Sequence, residues 1–275
     1  MILVHGAWHG SWCWAPVTPH LAARGIPSIP IDLAGHGLNG KPPAARSARP
    51  FDPAALATEP SPVAAVGVRV AAEALVDGIR LAGNGEPCVV VAHSLGGVIA
   101  TAAAELAPEL FAHLVYLTAY APVTASVGQL ASEYHTFDRV LVADPVVVGA
   151  LRLDPTNPLF RDEIRELFYG DVDVPAAEAA IALLGNDAPA QFAAEKVMVT
   201  RDRFGAVPHS YIVCVKDNAI PEPLQRRLVQ DIDAVSVTAT GVITLDSSHS
   251  AFLSRPEELA QVLADAEQGG GSWSR

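Results

Sequence analysis

The fold of this chain is decided by the stretch CVVVAHSLGG, residues 88–97. Its first four residues are apolar and typical of a buried strand, and the small residues that follow it are typical of a closely packed helix. A strand that turns sharply into a helix at a serine holds that hydroxyl out at the top of a sheet, provided that its neighbours are small. Ala92, in place of the usual glycine, and Gly96 meet this need. The stretch therefore predicts a nucleophile elbow centred on Ser94.

Short apolar runs alternate with helical stretches on both sides of this elbow. The strands are predicted at residues 2–4, 26–31, 88–93, 114–117, 211–215 and 242–245, and the helices at 17–23, 63–81, 97–106, 221–231 and 256–266. Such alternation predicts an α/β fold with a mostly parallel sheet and helices on both faces. The almost continuous apolar character of the strands agrees with burial of both faces of the sheet.

Residues 122–195 break the alternation. Prolines separate three helical candidates there, at residues 127–139, 159–169 and 176–184. We interpret this segment as a helical cap inserted after a core strand. The alternative is a set of further core helices with one strand at residues 140–148. The predicted organisation is then a core formed by residues 1–121 and 196–267, a cap at 122–195 and a flexible glycine-rich tail at 268–275.

Composition limits the classes of partner and compartment. Half of the 275 residues are apolar and the net charge is −12, which favours a large core and argues against binding to nucleic acid. No apolar run reaches the roughly 18–20 residues of a membrane span, and no secretory leader is visible. Three widely spaced cysteines, Cys13, Cys88 and Cys214, form neither a disulfide framework nor a metal motif. We expect a cytoplasmic protein that binds no membrane, metal or cofactor. The sequence leaves its oligomeric state open.

A serine hydroxyl becomes a good nucleophile only when a base takes its proton. His249 is the best candidate base for Ser94, because it lies in the loop after the last predicted strand, at the sheet edge where catalytic groups gather. Asp217 follows the preceding strand and is the candidate carboxylate that orients the imidazole. Asp246 is the alternative carboxylate, because it is close to His249 in the sequence. It lies so near the end of its strand, however, that we do not expect it to reach around the imidazole.

The remaining parts of the site are predicted by adjacency. The backbone N–H groups of Leu95 and Ala7 are the candidate donors to an oxyanion, since one follows the serine and the other lies in the loop after the first strand. Trp8, Tyr120 and Phe252 adjoin catalytic segments and are candidate walls of a substrate pocket; the alternative is that they are ordinary core aromatics.

Four motifs together carry a family resemblance: HGAWHG at residues 5–10, IDLAGHG at 31–37, the elbow, and SHS at 248–250. With them the chain resembles the α/β-hydrolases, most of all the branch that holds plant methylesterases, hydroxynitrile lyases and their bacterial relatives. The resemblance covers the predicted core and implies the α/β-hydrolase fold with a Ser-Asp-His triad. It is less diagnostic over the predicted cap.

Three positions separate the two chemistries of this branch. Where its hydroxynitrile lyases have threonine, glutamate and lysine, this chain has Gly6, His93 and Ser250. The lysine would stabilise departing cyanide, so its absence favours ester hydrolysis. We expect a serine esterase acting on a small apolar or aromatic ester or a lactone. Two alternatives remain open besides the lyase: cyclase or lyase chemistry on a β-keto or polyketide-like substrate, and a non-catalytic ligand receptor.

Overall fold

The computed structural model of this chain describes residues 1–134 and 139–267. Within them, six strands form one sheet and two short strands form another. The strands are β1 Ile2–Val4, β2 Ile29–Ile31, β3 Cys88–Ser94, β4 Phe111–Ala119, β5 Ala150–Arg152, β6 Asp187–Pro189, β7 His209–Cys214 and β8 Gly241–Leu245. The large sheet has the order β2-β1-β3-β4-β7-β8, and each of its neighbouring pairs is parallel. This architecture confirms the predicted α/β fold.

Helices cover both faces of the large sheet. They are α1 Thr18–Ala23, α2 Pro53–Thr58, α3 Val68–Ala82, α4 Gly96–Leu106, α5 Val127–Tyr134, α6 Pro145–Val148, α7 Pro158–Phe168, α8 Val174–Leu183, α9 Gln191–Ala194, α10 Glu222–Val235, α11 Ala251–Ser254 and α12 Pro256–Glu267. Buried residues of α3, α4 and α10 share one apolar cluster, and those of α1 and α12 share a second. None of the helices within residues 1–134 and 139–267 has the length and apolar character needed to cross a membrane.

Strand β3 shows how the sequence builds the two faces. Val90 and Ala92 belong to one cluster, whereas Val89 and Val91 belong to the other, because successive side chains of a strand point to opposite faces. All four are buried. A strand buried on both sides needs apolar residues at every position, which is why its sequence is a continuous run.

The segment between β4 and β7 contains the predicted helices and one pair of strands that was not predicted. Helices α7 and α8 lie close to their predicted positions, and α5 is described as far as Tyr134. Strands β5 and β6 form an antiparallel pair; each has three residues and both carry buried charged side chains, so no apolar run indicates them. The alternative strand at 140–148 is wrong, since Pro145–Val148 is helical and capped by the Asp144 carboxylate. The predicted tail, residues 268–275, lies outside the described residues, and the domain boundaries stay a prediction.

Candidate active site

Ser94 lies at the end of β3 with a left-handed backbone, at φ 52°. This conformation is uncommon for a residue other than glycine and is tolerated where the surrounding structure enforces it. The helix after it approaches neighbouring backbone closely: an added Cβ at Gly96 would lie 2.3 Å from the carbonyl oxygen of His5, and one at Gly97 would lie 2.2 Å from that of Tyr120. The two glycines are therefore what allow the strand-to-helix turn to fit between these loops.

His249 and Asp217 are brought together at the same edge of the sheet. His249 Nδ1 lies 2.7 Å from Asp217 Oδ2, and both side chains are buried. Asp217 Oδ1 accepts hydrogen bonds from the backbone N–H groups of Ala219, at 2.6 Å, and Ile220, at 2.9 Å. The Thr118 hydroxyl donates to Asp217 Oδ2. The carboxylate is thus fixed on both oxygens, so it can hold the imidazole in one orientation and one tautomer.

Asp246, the rival carboxylate, points to the surface instead. Its Oδ2 accepts a 2.8 Å hydrogen bond from Lys216 Nζ, in a pair whose two side chains are both largely exposed. Of the two carboxylates considered from the sequence, only Asp217 contacts His249.

His93 connects the base to the nucleophile's strand. Its Nε2 donates to the backbone carbonyl of His249 at 2.9 Å, and the two rings lie 4.5 Å apart. Burial lowers the pKa of His93 well below its usual value, so the ring is neutral. The sequence analysis used His93 only to separate hydrolysis from lyase chemistry and gave its side chain no role in the site. The signal that was available is its position next to the serine, at the end of a buried strand.

The loop after β1 lies directly against the serine. A Cβ at Gly6 would be 2.6 Å from Ser94 Cβ and 3.1 Å from Ser94 Oγ. Ala7 follows, and its carbonyl accepts a 2.8 Å hydrogen bond from His9 Nδ1. The backbone N–H groups of Ala7 and Leu95 donate to no acceptor in the part of the chain that is described. Two unused donors beside a serine are the arrangement that a developing oxyanion requires.

The three candidate pocket residues are all buried, but they differ in their surroundings. Trp8 donates from Nε1 to the carbonyl of Leu151 at 2.8 Å. The backbone N–H of Tyr120 donates to the carbonyl of Ser94 at 3.0 Å. Phe252 packs edge-on against His93, with ring centroids 4.9 Å apart, and belongs to the core cluster of the α1 and α12 face. This position favours a supporting role for Phe252, and contact of any of the three with substrate stays a prediction.

Three hydrogen bonds connect the end of α7 and the loop after it with the catalytic loops. They join Tyr169 to His9 at 2.8 Å, Asn218 to the carbonyl of Glu166 at 3.0 Å, and Ser248 to Asp171. His9 lies in the candidate oxyanion loop, Asn218 directly follows Asp217, and Ser248 directly precedes His249. Sequence reasoning missed these contacts, because they join residues far apart in the chain.

Buried neutral histidines surround the loop after β1. Burial lowers the pKa of His5 and His9 to about 3 and that of His36 to about 4. The ring nitrogens of His5 and His9 serve as structural partners: His5 Nε2, for instance, accepts from the backbone N–H of Leu33 at 3.1 Å. Across residues 1–134 and 139–267, no group of three or more His, Cys, Asp or Glu side chains is arranged to hold a metal ion.

Comparison with known proteins adds family information to this geometry. Residues 1–262 match the Alpha/beta hydrolase family. Methyl jasmonate esterase 1 of Vitis vinifera is 27% identical over 96% of this chain and 95% of its own length. Methylesterase 10 of Arabidopsis thaliana is 26% identical over 96% and 90%. The crystal structure of polyneuridine aldehyde esterase superposes with a TM-score of 0.72 at 22% identity, covering 97% of this chain and 98% of that one.

Proposed function

This chain belongs to the alpha/beta hydrolase family, and on that premise we propose that it hydrolyses carboxylic esters through Ser94, His249 and Asp217. The observation that carries the proposal is the buried 2.7 Å contact between His249 Nδ1 and Asp217 Oδ2 at the sheet edge where the elbow ends. The esterases among its relatives support the same reaction class.

The proposed reaction is acyl transfer to water. His249 Nε2 takes the proton of the Ser94 hydroxyl as the oxygen attacks the ester carbonyl, and Asp217 stabilises the imidazolium that forms. The carbonyl oxygen becomes an oxyanion that accepts hydrogen bonds from the N–H groups of Ala7 and Leu95. His249 then protonates the leaving alcohol. A water molecule, deprotonated by the same imidazole, attacks the acyl-enzyme and releases the carboxylic acid with restoration of Ser94.

We propose a small apolar or aromatic ester, or a lactone, as the substrate class. Relatives named as methylesterases make methyl esters the first compounds to assay. Gly6 supports hydrolysis over cyanohydrin cleavage. A threonine there would place its Cβ 2.6 Å from Ser94 Cβ, and position 250 holds an uncharged serine instead of the lysine that would stabilise cyanide.

The test is the Ser94→Ala variant. With p-nitrophenyl acetate, we expect turnover to fall by about 10³-fold or more, since the other triad members give little catalysis without the nucleophile. A fluorophosphonate probe should label the wild-type protein and leave the variant unlabelled. Ser47→Ala, at an exposed serine, is the matched control and should keep full activity.

Two outcomes would contradict the proposal. Undiminished turnover in the Ser94→Ala variant would remove the nucleophile from the mechanism. Conversion of β-keto acids by a wild-type protein that turns over no ester in a screen of acyl length and alcohol size would transfer the site to the alternative chemistry.

A further inference from the structure

Trp8, the residue after the candidate oxyanion donor Ala7, has a left-handed backbone at φ 60°. A large side chain rarely adopts this conformation, because its Cβ lies too close to the following carbonyl oxygen. Within residues 1–134 and 139–267, three other residues besides glycines have a positive φ: Asn84, Ser94 and Thr118. Asn84 lies in a turn, where asparagine is tolerated, whereas Ser94 is the proposed nucleophile and Thr118 bonds to the triad carboxylate. Strained residues thus concentrate at the site, and Trp8 is the one whose backbone conformation the proposed reaction does not explain.

The strained backbone of Trp8 is held by the antiparallel ribbon β5–β6. The Trp8 carbonyl accepts a 2.8 Å hydrogen bond from the backbone N–H of Gly185, two residues before β6. The indole Nε1 donates to the carbonyl of Leu151, in β5, at 2.8 Å. Trp8 is only 2% exposed, so water does not compete effectively for either bond. Two contacts from one ribbon therefore fix both the backbone and the side chain of Trp8.

The residues on either side of Trp8 are fixed as well. The Ala7 carbonyl accepts from His9 Nδ1 at 2.8 Å, and the other nitrogen of that ring lies 2.8 Å from the Tyr169 hydroxyl. Before Ala7, the chain packs so tightly against Ser94 that a Cβ added at position 6 would lie 2.6 Å from Ser94 Cβ. Ala7 is thus held between a close contact with the serine and a residue whose conformation the ribbon enforces. Its N–H keeps one direction only while both constraints persist.

We propose that Trp8 is a positioning residue, through which the ribbon β5–β6 holds the loop after β1 in the conformation that turns the Ala7 N–H toward Ser94. This inference rests on the proposed function, because an oxyanion donor has a role only in acyl transfer. Without its two anchors, Trp8 would relax to an ordinary backbone conformation, and the Ala7 N–H would turn away from the reacting carbonyl oxygen. The triad carboxylate would stay in place, because Asp217 is held by Thr118 and by backbone N–H groups of its own loop.

A positioning role and a role as pocket wall predict different kinetics for Trp8. A wall contacts the substrate in the ground state as well as in the transition state, so its loss raises KM. A residue that orients an oxyanion donor contributes only when the oxyanion forms, so its loss lowers kcat and kcat/KM by the same factor. The ratio of the two kinetic constants therefore separates the two roles.

Trp8→Phe removes the indole N–H and keeps a buried aromatic ring. With p-nitrophenyl acetate, we expect kcat to fall by about tenfold with KM unchanged, which is part of the 10²–10³-fold cost of losing an oxyanion donor altogether. The affinity for 2,2,2-trifluoroacetophenone, which forms an anionic tetrahedral adduct with a serine, should fall by the same factor. Trp14→Phe is the matched control, since Trp14 is buried and its Nε1 has no hydrogen-bond partner among the described residues. It should keep the wild-type kcat.

A second pair of variants, Trp8→Gly and Trp8→Ala, tests the backbone directly. Both remove the indole and its bond to Leu151, but they differ in what a left-handed conformation costs. Glycine adopts φ 60° without strain, whereas alanine carries the Cβ that disfavours it. We expect the kcat of Trp8→Gly to exceed that of Trp8→Ala by about fivefold or more. A residue that only fills space would give no such advantage to glycine.

Three results would overturn the inference: a wild-type kcat and inhibitor affinity in Trp8→Phe, a loss confined to KM, or a kcat of Trp8→Ala that equals or exceeds that of Trp8→Gly. If circular dichroism shows that the two truncated variants do not fold, Trp8→Phe decides alone. A wild-type protein that turns over no ester would contradict the proposed function itself. An active wild-type protein with an unaffected Trp8→Phe variant would contradict this inference alone.

Discussion

The sheet core and the segment between β4 and β7 are held together by different forces. In the core, strands β3 and β4 are buried almost throughout and meet apolar helices on both faces. In the inserted segment, the pair β5–β6 is built around a buried ion pair between Arg152 and Asp187, with side chains 0% and 2% exposed. The core therefore depends on continuous apolar surface, whereas the inserted ribbon depends on a few polar contacts that each have one correct partner.

The ion pair also attaches the ribbon to the segment between β2 and α3. Arg152 reaches both carboxylate oxygens of Asp187 at 2.7 Å and donates to the carbonyls of Leu56 and Glu59 at 2.6 and 2.7 Å. The Ser61 hydroxyl donates to the same carboxylate at 2.6 Å. Each of the three nitrogens of this buried guanidinium donates to an acceptor, which is the condition under which a buried charge is tolerated.

Lowering the pH should destabilise the sheet core before the segment between β4 and β7. This loss in the free energy of unfolding is the largest effect we expect. All histidines except His135 lie outside residues 122–195, and burial lowers the pKa of His5, His9 and His36 to about 3, 3 and 4. Between their ordinary pKa and these values, the unfolded chain binds protons that the folded chain does not. Their contribution to stability is complete above about pH 6.5 and is lost as pH falls, by about 4 kcal/mol per pH unit for the three together.

Urea unfolding at a series of pH values measures this slope. In the His36→Gln variant we expect the slope between pH 6 and 5 to fall by about 1.4 kcal/mol per pH unit, the share of one histidine. A stability that stays flat from pH 7 to 4 would show that these rings accept protons in the folded state.

Asp187→Ala should damage the inserted segment severely. Removing one partner of a buried ion pair leaves the other charge uncompensated, and we expect the free energy of unfolding to fall by about 3–5 kcal/mol. Denaturant unfolding followed by circular dichroism measures the change. Asp162→Ala, in the same segment but at an exposed pair with Arg165, is the control and should cost less than about 1 kcal/mol. If both variants lower the free energy of unfolding by the same small amount, the ribbon β5–β6 does not depend on its buried ion pair.

Gly6→Ala should damage the catalytic junction while sparing the fold. Its new Cβ would lie 2.6 Å from Ser94 Cβ, so either the serine or the loop that carries Ala7 must move. We expect kcat for ester hydrolysis to fall by about 10²–10³, the usual cost of losing one oxyanion donor. Gly78→Ala lies in α3 with no atom within 4 Å of the added Cβ and should keep full activity. A wild-type kcat in the Gly6→Ala variant would show that the loop carrying Ala7 does not supply the oxyanion donor.

Tyr169→Phe gives the smallest expected effect and tests whether the insertion influences the chemistry. It removes the 2.8 Å hydrogen bond to His9, whose other nitrogen holds the carbonyl of Ala7. We expect a loss of about 1 kcal/mol in stability together with a lower kcat. Tyr116→Phe removes a 2.8 Å bond to Thr101 within the core and should lower stability alone. If both variants keep the wild-type kcat, the insertion holds the loop without affecting catalysis.

The amino-acid sequence by itself determined the fold class and the family. Apolar runs and helical stretches are local patterns, and the rule that parallel strands end at one edge placed Ser94, Asp217 and His249 on neighbouring loops before any coordinates. The match of residues 1–262 to the alpha/beta hydrolase family and the parallel six-stranded sheet confirm the predicted family and fold class. The roles assigned to the three side chains stay a proposal.

Only the tertiary structure decided which polar groups meet. It directs Asp217 to the imidazole and Asp246 to the surface, adds Thr118 and His93 to the site, and pairs Arg152 with Asp187. The physical reason is that a hydrogen bond needs two atoms within about 3 Å. These partners are separated by 30 to 156 residues along the chain, and the path of the intervening chain sets that distance. Apolar burial repeats along the chain and can be read from it, whereas a single long-range polar contact leaves no period in the sequence.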